Sequence, residues 1–379
     1  MIPAQRIVVI YDSITNSVFT SQVLNPLIAW LTQDKKRTAI LISFEAIAIT
    51  NHPTYAHILH EKRITLVIRK RIPFFGATSL WYAAYCIRTL VKQRSAHIIA
   101  RGPFAGYACL RARITVPLRI QIRGLLWQEY EYTCNQYAKT KPDKYPVTHT
   151  CQVTFAKRLE QYGRSYMQKL KIYFYKRLEA TLYAHRDRNL TFEAVSPALR
   201  DYLMTTYTTL DPTTVGLAYD DIPQPVAHQK RKRWRIQVRA ELGLPANAHV
   251  YCYNGSVKPW QFPDEFFTFC KDAIAPHADA HLLIISQDYQ HCASLLVKTT
   301  IPTPRCHLIS VAHDRIYEYL AAADTGLVFR DATLLNWVSR PTKLLEYQAV
   351  GLRILHNATI AWLAESARNQ QIYNSSCRL

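Results

Sequence analysis

No apolar stretch of this 379-residue chain reaches the about 18 residues that a membrane-spanning helix needs. The nearest, Ile72 to Ile87, is too short, carries Pro73 and Gly76, and is flanked by Arg69, Lys70, Arg71 and Arg88. It reads either as an ordinary buried helix or as one lying on a membrane surface. The opening MIPAQRIVVIYDS is not expected to be a secretory signal, because its apolar run is short and ends at Asp12. The nine cysteines include no CxxC pair, and an odd number scattered along a long chain makes no disulfide framework. A reducing compartment is the expectation. No His, Cys and Asp cluster has ligand spacing and no Asp-x-Asp follows a strand, so neither a metal nor a cofactor is expected. No segment repeats at a fixed period.

Acidic residues are also scarce. There are 27 Asp and Glu against 47 Lys and Arg, a formal net charge of +20. Such an excess suits an anionic partner, whether nucleic acid, anionic lipid or a diphosphate substrate, or reflects a generally basic composition. Lys157–Arg188 interleaves basic residues with Tyr162, Tyr166, Tyr173, Phe174 and Tyr175. Three readings of it stand: a membrane-surface helix, a nucleic-acid surface, or a solvated helix with its aromatics turned inward. Of the two binding readings, an anionic membrane surface ranks above nucleic acid, which is not expected. The run Lys230–Arg235 (KRKRWR) has the composition of a nucleic-acid patch but, coming directly after a linker, reads more readily as an exposed helix start.

What the chain does have is the balance of a folded protein, with 49% hydrophobic and 20% charged residues. Its length suits two α/β domains. Val- and Ile-rich strand patterns recur at Ile7–Tyr11, Thr38–Phe44, Ile64–Ile68, His97–Ala100, Leu118–Ile122 and Phe192–Ser196, with helical spacing between them. Thr140–Thr150 reads as a loop. Ser196 and Pro197 read as the N-cap and first residue of a helix. Asp211 to Gln229, with Pro212, Gly216, Pro223 and Pro225, reads as a linker in which Asp220 and Asp221 are solvated. The same rhythm returns at His249–Tyr253, His281–Ser286, His307–Ser310, Gly326–Phe329 and Arg353–His356. Alternation of this kind implies parallel sheets that bind ligands beyond their C-terminal strand ends. The expected domains are residues 1–210 and 211–379.

The most informative segment is VFRDATLLNWVSRPTKLLEYQAVGLRIL, Val328 to Leu355. A strand delivers Arg330 and Asp331 at its end, a loop follows, and Ser339 or Arg340 caps a helix with Pro341 in its first turn. Free backbone N–H groups at a helix start attract anions. Lys343 adds a positive charge in that turn and shares a face with Glu346. A diphosphate would suit the helix start, Arg330 and Lys343; a ribose would suit Glu346. The plainer reading is a capped surface helix with an ordinary Lys–Glu pair.

RPTKLLEYQAVGLRI resembles the C-terminal donor motif of GT-B glycosyltransferases, family 4 in particular. HLISVAHDRIYEYLAAADTGLVFRD and YNGSVKPWQ resemble the donor-domain segments that accompany it. IVVIYDSITNSVFTSQVL, HIIARGPFAGYACL, RIQIRGLLWQEYEY and FEAVSPALRDYL resemble acceptor-domain segments of a polysaccharide-type subgroup. The resemblance implies two Rossmann-like domains whose parallel sheets face across a cleft, and metal-independent transfer of a sugar with retention. It implies a nucleotide-sugar donor and a glycan or lipid-linked acceptor of surface-polysaccharide assembly. The place implied is the cytoplasm, or peripheral attachment to the inner face of the membrane. It assigns donor contacts to Gly255, Ser256, Lys258, Arg330, Asn336, Ser339, Lys343 and Glu346. It puts Arg101, Gly124 and Glu129 on the acceptor side and gives catalytic roles to Arg123 and Glu346. Where the family has a first Glu eight residues ahead of Glu346, this chain has Val338. Ser256 stands in place of an Arg, and Arg123 in place of a His. A non-catalytic binding protein or a sugar-nucleotide epimerase on the same fold are the competing readings.

Overall fold

The structure, a computed structural model, describes residues 5–16, 18–50, 52–72, 77–91, 96–140, 151–256, 261, 264–365 and 370–372. The chain divides into two compact units, Met1–Asp221 and Ile222–Leu379.

In the first unit seven strands make a parallel sheet. They are β1 Gln5–Ile10, β2 Thr38–Glu45, β3 Ile64–Lys70, β4 His97–Arg101, β5 Leu118–Ile122, β6 Leu190–Ala194 and β7 Val215–Leu217, in the order β3-β2-β1-β4-β5-β6-β7. Alternation along the strands separates two faces. Ile98, Ala100, Leu118, Ile120, Ile122, Phe192 and Ala194 are buried on one of them. On the other, Arg101 pairs in register with Gln121, and Gln121 with Glu193. The residue after Ile122 in the same alternation, Arg123, falls on this polar face too.

The unit boundary falls after Asp221 instead of after residue 210, because β7 pairs with β6 from Val215 to Leu217. Three residues, with Gly216 in the middle and Pro212 shortly before them, are too short to show a periodicity. The helix at Pro197–Thr206 begins as its sequence implies: Ser196 Oγ accepts from Leu199 N at 3.0 Å. Residues 141–150, read as a loop, lie outside the described residues.

The second unit has a parallel sheet of β8 His249–Asn254, β9 Ala280–Ile285, β10 Cys306–Ile309, β11 Thr325–Val328, β12 Arg353–His356 and β13 Gln370–Ile372. The order is β10-β9-β8-β11-β12-β13, with β8 and β11 at the centre. The helix Thr342–Ala349 buries Leu344 and Tyr347 in the core beneath this sheet.

The basic run at Lys230–Arg235 belongs to the helix His228–Glu241, and only part of it is exposed. Residues 231, 235 and 239 recur every four positions and so share a stripe. Arg231 Nη1 donates to Val350 O at 2.8 Å and Arg235 Nη1 to Ala323 O at 2.9 Å. Arg239 Nε donates to Ala322 O at 3.0 Å. These arginines satisfy carbonyls that helix C-termini leave open. Lys232 and Arg233 are exposed.

Candidate donor and acceptor sites

β8 ends at Asn254, and Gly255 follows with φ +125°, a conformation that a Cβ makes costly. A Cβ there would also stand 3.3 Å from Lys343 Cε. The glycine therefore lets Lys343 close onto the turn. Lys343 and Glu346 leave the helix Thr342–Ala349 on the side of this turn, and they are only 7% and 4% exposed. Asn254 Nδ2 donates to Glu346 Oε2 at 2.6 Å. Lys343 Nζ sits 3.7 Å from the Tyr253 ring centroid and 3.5 Å from Gln261 Oε1. Burial holds the Lys343 ammonium well below its ordinary pKa; Arg330 lowers it further and Glu346 opposes. Burial pushes Glu346 up to about 7, against the pull of Lys343 and the Asn254 hydrogen bond.

The helix is locked to the sheet by one hydroxyl. Tyr347 Oη accepts from Asn254 N at 2.8 Å and donates to Cys252 O at 3.2 Å. Gly326 in β11 makes room for this ring, since a Cβ there would run into it.

Arg330 lies just past β11 and is buried. Its backbone N donates to Asn357 Oδ1 at 3.2 Å, and Asn357 Nδ2 returns a bond to Arg330 O at 2.8 Å. Arg330 Nη1 donates to Asn336 Oδ1 at 3.0 Å, and Asn336 Nδ2 to Asp331 O at 2.8 Å. Arg330 Nε is buried with no hydrogen-bond partner. Burial lowers this guanidinium to about 10, with Tyr253 opposing. The buried Lys343 ammonium thus feels a second buried cation, Arg330, and one buried carboxylate, Glu346.

Neither Ser339 nor Arg340 caps the helix. Ser339 Oγ donates to Asn336 O at 2.8 Å, and the Arg340 guanidinium lies 5.2 Å from the Trp362 ring centroid. The helix starts at Thr342, with Pro341 as an N-cap residue that offers no side-chain bond. A helix start without a side-chain cap leaves its N–H groups to other acceptors.

In the first unit the expected acceptor-side residues gather at the C-terminal strand ends. Arg101 ends β4, and its Nη2 donates to Gln22 Oε1. Arg123 follows β5 and pairs through Nη2 with Asp221 Oδ2. The Asp221 side chain is 1% exposed, so this acid is no solvated linker residue. Asp220 accepts from Gln121 Nε2 at 3.1 Å. Gly124 stands beside Glu129: a Cβ on the glycine would run into the glutamate carboxylate.

The residues expected to contact a donor, Gly255, Ser256, Arg330, Asn336, Ser339, Lys343 and Glu346, all lie in the second unit; Lys258 is outside the described residues. Ser256 contributes its carbonyl, which accepts from Tyr253 Oη at 2.8 Å. Sequence reasoning missed Asn254, Gln261, Tyr347 and Asn357. The first had a signal: a polar residue ending an apolar strand directly before a glycine. Among the described residues no group of three His, Cys, Asp or Glu side chains converges as metal ligands would. Nor is any described helix long and apolar enough to cross a membrane.

No family model matches the chain, and no curated protein matches it by sequence. Solved structures do. A glycosyltransferase from Rickettsia africae ESF-5 matches with TM-score 0.60 at 11% identity, over 98% of this chain and 85% of that one. WaaG, a glycosyltransferase involved in lipopolysaccharide biosynthesis, matches with TM-score 0.59 at 12% identity, over 98% and 86%. The sucrose-phosphate synthase of Thermosynechococcus elongatus matches with TM-score 0.56 at 13% identity, over 94% and 82%. Identities this low speak for architecture, and the architecture they share with this chain is the GT-B fold of glycosyltransferases.

Proposed function

We propose that the protein is a glycosyltransferase that moves a sugar from a nucleotide-sugar to a glycan or lipid-linked acceptor in surface-polysaccharide assembly. The observation that carries this reading is the surplus of buried positive charge in the second unit, Arg330 and Lys343 against Glu346. An uncompensated buried cation is costly, and a diphosphate would offset it. The uncapped start of the helix Thr342–Ala349 adds backbone N–H groups of the same polarity. Glu346, held by Asn254, would take the ribose hydroxyls.

The chemistry follows from where charge develops. As the sugar–phosphate bond breaks, negative charge grows on the leaving diphosphate, and groups already fixed around it stabilise the transition state most. Lys343, Arg330 and the helix start would supply that stabilisation without a metal or other cofactor. Retention of configuration and a catalytic role for Arg123 are part of the proposal, as are the acceptor-side roles of Arg101, Gly124 and Glu129 in the first unit.

The acceptor's chemistry also suggests a membrane-surface location at the inner face of the membrane. Helix Cys151–Tyr183 exposes Tyr166, Met167, Leu170 and Tyr173, and helix Ala77–Val91 exposes Trp81 and Tyr85. Tyr175 of the same long helix packs inward on Phe104 and Tyr130. Exposed aromatics among lysines are the pattern of an interfacial helix. Flotation with vesicles containing anionic lipid should carry the protein upward; flotation that stays negative removes the membrane surface.

The main test is a thermal-shift panel of UDP, GDP, ADP and CMP on the wild type and Glu346→Ala. One nucleotide should stabilise the wild type, by about 2.7 kcal/mol at a hundred times its Kd, and fail to stabilise the variant. No response to any nucleotide would sink the donor site.

A further inference from the structure

The first unit carries two arginines whose inner nitrogens are unclaimed. Arg101 Nη1 and Arg123 Nη1 are shielded from solvent and have no hydrogen-bond partner, whereas Nη2 of each is engaged, by Gln22 and by Asp221. The backbone places the two side by side. β4 and β5 are hydrogen-bonded neighbours, Arg101 stands opposite Gln121, and Arg123 follows Gln121 by two residues on the same face. Both sit at the C-terminal end of a parallel sheet, where α/β folds take their ligands. The charges interact: burial lowers Arg101 to about 9, Arg123 lowers it further, and Asp221, Asp12 and Asp220 oppose.

A guanidinium presents its N–H groups as a planar fork, and the group that fills two such forks is an oxyanion, carboxylate or phosphate. Asp221 already holds one nitrogen of Arg123, Nη2, through a carboxylate oxygen, so an anion at this place has a precedent in the chain itself. We propose that Arg101 and Arg123 form an oxyanion subsite that selects an acceptor bearing a carboxylate or phosphate, with Asp221 as the internal carboxylate that competes for it. The proposal rests on the glycosyltransferase reading for the word acceptor; the anion site itself does not depend on it.

Two substitutions should move binding in opposite directions. Calorimetric titration of the full chain with glucose 6-phosphate, glucuronate and neutral glucose is the measurement. One of the two acids should bind at least about tenfold more tightly than glucose, as a charged hydrogen-bonded group contributes. Which acid binds identifies phosphate or carboxylate. Arg101→Lys keeps the charge but loses the fork, and should weaken that acid about tenfold. Asp221→Asn removes the competing carboxylate and should tighten it. Lys343→Met should leave it unchanged, which keeps the site apart from the diphosphate site of the second unit. The nucleotide response of the first two variants should stay that of the wild type, which also reports that they are folded. Equal binding of glucose and the acids, or acid binding that neither first-unit variant alters, overturns the proposal. Acid binding of the expected pattern with no nucleotide response in the wild type upholds this site and refutes the donor reading instead.

Discussion

Asn254 and Glu346 lie 92 residues apart in sequence and are joined by a hydrogen bond of 2.6 Å, from the amide Nδ2 to the carboxylate Oε2. This bond favours the ionised form of a carboxylate that burial drives the other way, up to about 7. Glu346 therefore titrates near neutrality, and its ionised form is the one that can accept two ribose hydroxyls.

The sign of the consequence is fixed. The pKa is raised in the folded state, so the fold disfavours the carboxylate: the cost is absent below the ordinary value of about 4.3 and complete above about 7. Under the proposed donor reading, nucleotide binding draws on the ionised form, so affinity should rise with pH through this window. Glu346→Gln should bind about tenfold or more weakly above pH 7 and show a flatter profile than the wild type. Calorimetry at a series of pH values checks this. Because the phosphates of the nucleotide also titrate, the difference between the two profiles is the quantity that matters, and identical profiles would remove Glu346 from the ribose.

Tyr347 should matter for stability and for binding together. Its hydroxyl bridges Asn254 N and Cys252 O in the buried centre of the second unit. Tyr347→Phe leaves both backbone groups short of that partner, at a cost of about 1–3 kcal/mol. Gly326→Ala forces the ring away and should cost a similar amount. Chemical denaturation measures both. Each variant should also weaken the nucleotide shift, since the same ring sets the position of the helix that carries Glu346.

Much of this architecture was legible from the residues. The eleven strands read from Val and Ile runs all appear in the structure, within about two residues at each end. The Lys343–Glu346 pair was legible because it follows helical spacing. What was not legible depended on long-range partners. Asp221 reads as solvated because nothing near it in sequence reveals Arg123, which is 98 residues away. β7 is a strand only because β6 offers it an edge. The arginines of the helix His228–Glu241 read as a charge run because the carbonyls that they satisfy belong to other elements.

Asp324 tests that last point. Its carboxylate accepts from Arg235 Nη2 at 2.6 Å, from Arg239 Nη2 at 2.8 Å and from Val250 N at 2.8 Å. Arg239 is nearly buried while Asp324 is about a quarter exposed, so the pair lies between the surface and interior cases. Asp324→Ala should cost about 2–3 kcal/mol by urea denaturation. At a temperature where the variant is folded, its nucleotide affinity should be unchanged. A large loss of affinity there would make Asp324 part of the binding site and not only of its support.

Lys343→Met separates a binding role from a structural one by giving the two opposite signs. Lys343 is depressed well below its ordinary 10.5, chiefly by burial, so the folded chain carries a charge it disfavours. That cost is full at pH values below the folded pKa and fades as pH rises toward 10.5. A methionine of similar length removes it and keeps the packing against Tyr253. The unliganded variant should melt higher than the wild type at neutral pH, and the gain should shrink as the buffer is made alkaline. Its nucleotide-induced shift should disappear, because the proposed diphosphate site loses one of its two buried cations. Sites that hold strained charge for a ligand show this exchange of stability for function. If Lys343→Met instead melted lower and kept the nucleotide shift, Lys343 would be a structural partner of Glu346 and Gln261, and the diphosphate would have to be held elsewhere.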